Sequence, residues 1–364
     1  MVRCPGLVAA VLAVALSGAC TSGGGAGGSA SPSRPAPTAQ DCAAGSFELA
    51  GTSTQRAVLS RWIERYRDRC PGASVGYRAG DTRDGLAWFR RGRVTLVGSE
   101  SGLDDAARSE LAARCGAGQV VSLPVALTPV TLVHTVPGVP DLTVTPAVLA
   151  KIYARTIVSW NDPEIAAANP GVELPNKPVT PVHGSDRSVA TDVFTGFLAA
   201  RAGDVWTFGA GPGWPVPGGG GVPSARVAQT VAGTDGGIGY VEGPEAQRLG
   251  LATAKLDSGR GPVAPGGESV AAAASRAAVE GDDREIRLAV DLDLDEPDAY
   301  PLLLVSYQIT CAEGLPPAKA RFAKTFLAYA TGEGQAVLAG LGAAPLPSRL
   351  LSRVRTEVGS LSGS

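Results

Sequence analysis

Two β-prone runs, residues 120–136 and 300–311, do most to limit what this chain can fold into. Pro124 and Pro129 interrupt the first, and proline cannot donate to a sheet ladder. The first run reads as a crossover from one lobe into another. The second, opened by Tyr300-Pro301 and closed by Cys311, reads as the return. Ahead of the first crossover, strand, loop and helix repeat. Residues 46–50 are strand-like and lead through Gly51-Thr52-Ser53-Thr54 into a helix with Val58, Leu59, Trp62, Ile63 and Tyr66 on one face. Cys70-Pro71-Gly72 stops it. Residues 73–79 and 94–98 are two further predicted strands, the latter ending at Ser99-Glu100. This alternation predicts an α/β fold with a parallel sheet, in which ligands sit at the carboxyl ends of strands. Three successive strand ends offer Ser, Thr and Glu. The expected division is a first lobe of residues 42–130 and 300–356 and a second of 131–299, hinged at two crossovers around a cleft. The C-terminal segment, with Ala320, Phe322, Ala323, Phe326, Leu327 and Ala330 at helical spacing, closes the first lobe.

Residues 7–19 are apolar and too short to span a bilayer, and they end in Leu16-Ser17-Gly18-Ala19-Cys20. That ending resembles a bacterial lipobox. It makes 1–19 a signal peptide and Cys20 a lipidated residue that anchors the chain to the outer face of the cell membrane. The alternative is an ordinary secretory signal with an incidental cysteine. Residues 20–41 are nearly all Gly, Ala, Ser, Pro and Thr, a composition that predicts a flexible tether. No later apolar run suffices for a transmembrane helix. A net charge of -2 and the lack of a basic patch argue against a nucleic-acid partner. Cys42, Cys70, Cys115 and Cys311 are spaced too widely for a zinc site and predict two disulfides in an oxidising compartment. Three pairings are open. Cys42–Cys70 with Cys115–Cys311 is the one expected if all four lie at the base of the first lobe.

The stretch Val182-His183-Gly184-Ser185-Asp186-Arg187-Ser188 reads as a loop running into a helix that carries Val189, Val193, Phe194, Phe197 and Leu198 at helical spacing. A helix start with free N–H groups and nearby hydroxyls suits an anion.

Several collinear blocks resemble the phosphate ABC-transporter substrate-binding proteins of the PstS type. They include Leu149-Ala150-Lys151-Ile152-Tyr153, Trp160-Asn161-Asp162-Pro163, Asn169-Pro170-Gly171, Gly237-Ile238-Gly239-Tyr240-Val241-Glu242, Gly332-Glu333-Gly334-Gln335 and Ala344-Pro345-Leu346-Pro347. The resemblance implies a two-lobed periplasmic-binding-protein fold of type II, each lobe a mainly parallel sheet flanked by helices. It implies a monomer that captures phosphate or a related oxyanion and delivers it to a membrane ABC permease. Family site positions carry over one by one. Ser53 falls at a first-loop hydroxyl, and Thr54 at a position that contributes its main-chain N–H. Thr82 keeps a second-loop hydroxyl. Glu100 falls at the acid that accepts a proton from the ligand and so rejects sulfate. Ser188 matches a ligand Ser, and Asp186 matches the acid that steadies the family's clamping Arg. That Arg is replaced by Gly184, while Val189 and Ala190 replace a Gly and a ligand Thr, and Arg187 and Arg83 stand at glycine positions. Three readings follow: Arg187 or Arg83 supplies the cation, the pocket serves another anion, or the site is lost and the surface acts as a sensor or scaffold.

The same residues have plainer uses. Ser53 and Thr54 suit helix caps, Glu100 a strand-end acid, and Arg83 and Arg187 solvated charges. The acidic run Asp291, Asp293, Asp295 and Glu296 lacks the glycine and spacing of a calcium loop. His134 and His183 are isolated and not spaced as metal ligands. No cofactor motif is present. Ser188 lacks the surroundings of a nucleophile, so a phosphoester hydrolase is the least favoured expectation.

Overall fold

The computed structural model describes residues 41–117, 119–218 and 220–362. The signal peptide, lipidated Cys20 and tether expected from sequence, up to residue 40, lie outside the described residues. The first part of the chain forms β1 (Gly45–Thr52), α1 (Arg56–Arg69), β2 (Ala73–Gly80), α2 (Thr82–Arg90), β3 (Leu96–Ser99) and α3 (Asp105–Cys115). The crossover is β4 (Val120–His134). There follow β5 (Thr143–Val144), α4 (Pro146–Tyr153), α5 (Pro163–Ala168), β6 (Thr180–Val182), α6 (Val189–Arg201), α7 (Val227–Ala232), β7 (Gly237–Glu242), α8 (Gly243–Leu249) and β8 (Ala252–Thr253). Then come β9 (Lys255–Asp257), β10 (Pro262–Val263), α9 (Gly267–Arg276), β11 (Ala278–Glu280) and β12 (Arg287–Ala289). The return strand is β13 (Leu303–Cys311), and α10 (Pro317–Ala330) and α11 (Ser348–Ser360) end the chain.

One sheet passes through both halves in the order β2-β1-β3-β13-β4-β7-β6, with β8 beside β4. β1 pairs in parallel with β2 and β3, and β6 with β7. The antiparallel pairs of this sheet all involve the crossovers β4 and β13. Every residue of β4 is buried, which explains its unbroken apolar run. Its prolines have positions that spare the ladder. Pro124 faces Tyr307 where the β4–β13 register shifts, and Pro129 faces Leu303 at the last pair of that ladder. From Val130 onward β4 changes partner and pairs with β7. The prolines thus mark a bulge and the point where one strand leaves its first neighbour for its second.

The first core stacks Phe47 on Phe322 with ring centroids 4.3 Å apart, and Tyr66 meets Phe322 and Phe326 edge-on. All five α1 residues expected on one face are buried. Disulfides join Cys42 to Cys70 and Cys115 to Cys311, with Cα atoms 5.5 and 5.2 Å apart. The same core continues into the second half of the chain as an aromatic cluster around Tyr153, Phe194, Trp206, Trp214 and Tyr240, while a smaller aliphatic core gathers Val133, Val182, Val227, Val231 and Val241. Two glycines let the C-terminal segment press on α8. A Cβ at Gly243 would lie 2.2 Å from the Gly342 carbonyl oxygen.

The stretch between α9 and β13 reaches across the chain. Ser122 exchanges backbone hydrogen bonds with Arg284 and Ile286, and Arg353 bonds Asp283. The acidic run that follows is held by arginines: Arg201 on Asp293, Arg260 on Asp295 and Arg276 on Glu296. It is an ion-paired strap.

Candidate functional site

In the first lobe, the ends of the three parallel strands converge. Gly51 makes this close approach: a Cβ there would lie 2.7 Å from the Gly98 Cα. The Ser53 N–H and hydroxyl both reach the Gly80 carbonyl, at 3.2 and 3.4 Å. Thr82 opens α2 and donates to the Ser99 hydroxyl at 3.4 Å, while Asp81 caps the helix. Buried Gln55 donates to the Ser99 carbonyl at 2.7 Å, and the Tyr77 hydroxyl to the Thr52 carbonyl at 2.5 Å. The expected residues Ser53, Thr54, Thr82 and Glu100 therefore form one cluster.

Glu100 is its centre. The Thr52 hydroxyl donates to its carboxylate at 3.0 Å, and the Thr54 hydroxyl lies close enough to favour its charged form. Burial pushes the Glu100 carboxyl above its ordinary range, against the two hydroxyls that hold it down. The N-cap of α1 is Gln55, whose amide is spent on the Ser99 carbonyl and the Gln308 side chain, so the helix has no side-chain cap. The Thr54 and Gln55 N–H groups find no partner among the described residues. The capping role open to Ser53 and Thr54 in sequence is not taken up.

The second lobe treats its helix start differently. Ser188 caps α6: its hydroxyl accepts from the Thr191 N–H at 3.1 Å and lies 2.9 Å from the Thr191 hydroxyl. The Ser188 N–H donates to the Pro212 carbonyl. The Thr191 hydroxyl in turn lies 2.9 Å from the Tyr240 hydroxyl. The Val189 and Ala190 N–H groups have no partner among the described residues. Asp186 accepts from the Ser224 N–H at 2.6 Å. Gly184 sits so close to Ser224 that a Cβ would lie 2.4 Å from its hydroxyl. The altered motif is packed shut around a short residue. Arg83 and Arg187 are both exposed, and an Arg187 nitrogen lies 3.9 Å from where a Gly213 Cβ would be.

Among the described residues no hydrogen bond or ion pair joins the two clusters. A line of charge and hydroxyl connects them instead. Glu242, at the end of β7, is pushed up to about 7 by burial and then by the charge of Glu100. Tyr240, two residues earlier, feels both Glu242 and Asp186. Sequence reasoning recognised the block around Tyr240 and Glu242 but gave neither a role. It also missed Thr52, Gln55 and Tyr77, whose strand-end positions were the available signal. A groove of about 710 Å³ lies elsewhere, between α1 and β2, where Arg56 and Arg67 mix with Glu64 and Asp68.

The family model described as a PBP superfamily domain matches residues 36–333. The phosphate-binding protein PstS 3 of Mycobacterium leprae is 31% identical over 328 residues, covering 86% of each chain. The phosphate-binding protein PstS 2 of Mycobacterium tuberculosis is 28% identical over 324 residues, again covering 86% of each. In three dimensions the phosphate-binding protein of Stenotrophomonas maltophilia superposes with a TM-score of 0.59 at 16% identity, covering 86% of this chain and 94% of that one. These relatives are two-lobed solute-binding proteins and not enzymes. With most of its length matched and one curated relative above 30% identity, the chain belongs to the PBP superfamily and, within it, to the PstS substrate-binding proteins.

Proposed function

We infer that this protein is a lipid-anchored, extracytoplasmic receptor that captures phosphate, in a protonated form, between its lobes and passes it to an ABC permease. The observation that carries this reading is the uncapped start of α1 beside Glu100, a pair of N–H donors next to a half-buried acceptor. Donors there replace the water stripped from an oxyanion. The Glu100 carboxylate can only accept, so it pairs with a P–O–H group and leaves sulfate without a partner. Ser53 and Thr82 add hydroxyls at the same strand ends. From the second lobe, the Val189 and Ala190 N–H groups close over the ligand at the α6 start.

Ser188 joins through a relay. Ser188 donates to Thr191, and Thr191 shares a bond with Tyr240; when the ligand takes the Ser188 proton, the chain turns so that Tyr240 donates to Thr191 and Thr191 to Ser188. Asp186 anchors the loop through Ser224 in place of steadying an arginine. Arg83 and Arg187, exposed at the two helix starts, attract the anion over a screened distance.

Calorimetric titration of the ligand-stripped chain with inorganic phosphate tests this reading. Saturable binding near one equivalent is expected. No heat and no thermal shift would remove phosphate as the ligand, and binding of a partner protein alone would favour the scaffold reading.

A further inference from the structure

A second cavity, of about 100 Å³, opens beside the edge strand β6 of the second lobe. Tyr153, Arg155, Pro181, His183 and Trp214 line it. His183 is 4% exposed and lies flat on Trp214, with ring centroids 4.1 Å apart and planes 12° apart. Its Nδ1 is 3.0 Å from the Gly184 carbonyl oxygen. A carbonyl only accepts, so Nδ1 carries the proton and Nε2 presents a bare lone pair. That Nε2 is buried and has no partner among the described residues. An acceptor left so is costly unless something donates to it.

Arg155 supplies the complementary charge. It is one of two described non-glycine residues with positive φ, at 64°. A side chain holds that left-handed conformation at a cost, and such strain gathers at ligand sites. Its guanidinium makes no hydrogen bond or ion pair among the described residues, yet its charge reaches the His183 ring and, with burial, keeps that ring neutral. A cation and a lone-pair acceptor share one small cavity, walled by Trp214 and by Pro181, which has no N–H.

We propose that Arg155 and His183 form a second anion subsite, carried wholly by the second lobe, for a small oxyanion that keeps one acidic proton, such as hydrogen phosphate. The negative oxygens face Arg155, and the remaining O–H donates to His183 Nε2. Sulfate would satisfy Arg155 but leave Nε2 bare. The subsite uses none of the groups assigned to the cleft, so either stands without the other.

The chain has two histidines, which makes ¹⁵N spectra of their ring nitrogens simple to assign against a His134→Gln variant. Adding inorganic phosphate to the full chain should shift the His183 Nε2 resonance saturably, and sulfate should not. Arg155→Gly, where glycine takes the same backbone without strain, should keep the melting temperature and lose the phosphate response. Glu100→Gln and Ser188→Ala should retain it. An Nε2 resonance indifferent to phosphate would show that the cavity holds water alone. An unchanged response in Arg155→Gly, or its loss in Glu100→Gln, would equally overturn the subsite.

Discussion

The starts of α1 and α6 follow parallel strands in the same way, and the protein finishes them in opposite ways. At α1, Gln55 holds the N-cap position but gives its side chain to Ser99 and Gln308, so the backbone stays uncapped beside Glu100. At α6, Ser188 caps the helix and gives its N–H to Pro212. The contrast teaches that strand–helix junctions of one kind divide the labour. The first lobe presents open donors and the selective acid. The second presents a pre-formed, aromatic-backed shelf whose hydroxyl is reached through Thr191 and Tyr240.

The sharpest way to break the contrast is to wedge the first junction apart. Gly51→Ala places a Cβ against the Gly98 backbone, and overpacking of that kind costs about 1–3 kcal/mol. Denaturant melts should show that loss together with loss of phosphate binding. A stable variant that binds normally would show that the strand ends need not meet.

Glu242 tests the charge between the lobes. Its carboxyl is raised from 4.5 to about 7, so the protonated form favours the fold. That contribution is complete below pH 4.5 and is lost as pH rises through 7. Stability of the native chain should therefore fall across this window, and Glu242→Gln should flatten the fall, gaining on the order of 2 kcal/mol at pH 8. Parallel pH profiles for the two proteins would dismiss the coupling.

Tyr240→Phe probes the relay. Removing the far hydroxyl should weaken phosphate binding about threefold to tenfold, the range of one hydrogen bond. An unchanged Kd would mean that Ser188 contributes nothing through Thr191. The smallest effect separates the two caps directly. Ser188→Ala should lower stability by about 1 kcal/mol, whereas Ser53→Ala, exposed and no cap, should stay within about 0.5 kcal/mol. Equal losses would erase the difference between the helix starts.

Sequence carried much of the architecture because the fold rests on local pattern. The α1 face and the two crossovers depend on pattern along the chain, whereas the cysteine pairing, one of three left open, rests on where the predicted strands begin and end. Even the prolines of β4 were legible as interruptions, although their use as bulge and partner switch needed the register. The sites were less legible because their chemistry runs between distant residues. Thr52 and Thr54 meet Glu100 some 48 positions away, and Thr191 meets Tyr240 across 49. His183 was readable as isolated, but its bare nitrogen beside Arg155 follows from packing, which spacing cannot announce. The acidic run, read as lacking a calcium pattern, depends likewise on arginines from other elements.

The central claim is that Glu100, held by Thr52 beside an uncapped helix, selects a protonated oxyanion. The measurement that bears on it most directly is the ratio of phosphate to sulfate affinity, by calorimetry, for the native chain and Glu100→Gln. The account predicts a strong preference for phosphate in the native chain and a fall in that ratio of about tenfold or more in the variant, mainly through tighter sulfate binding. A ratio unchanged by the substitution would contradict it.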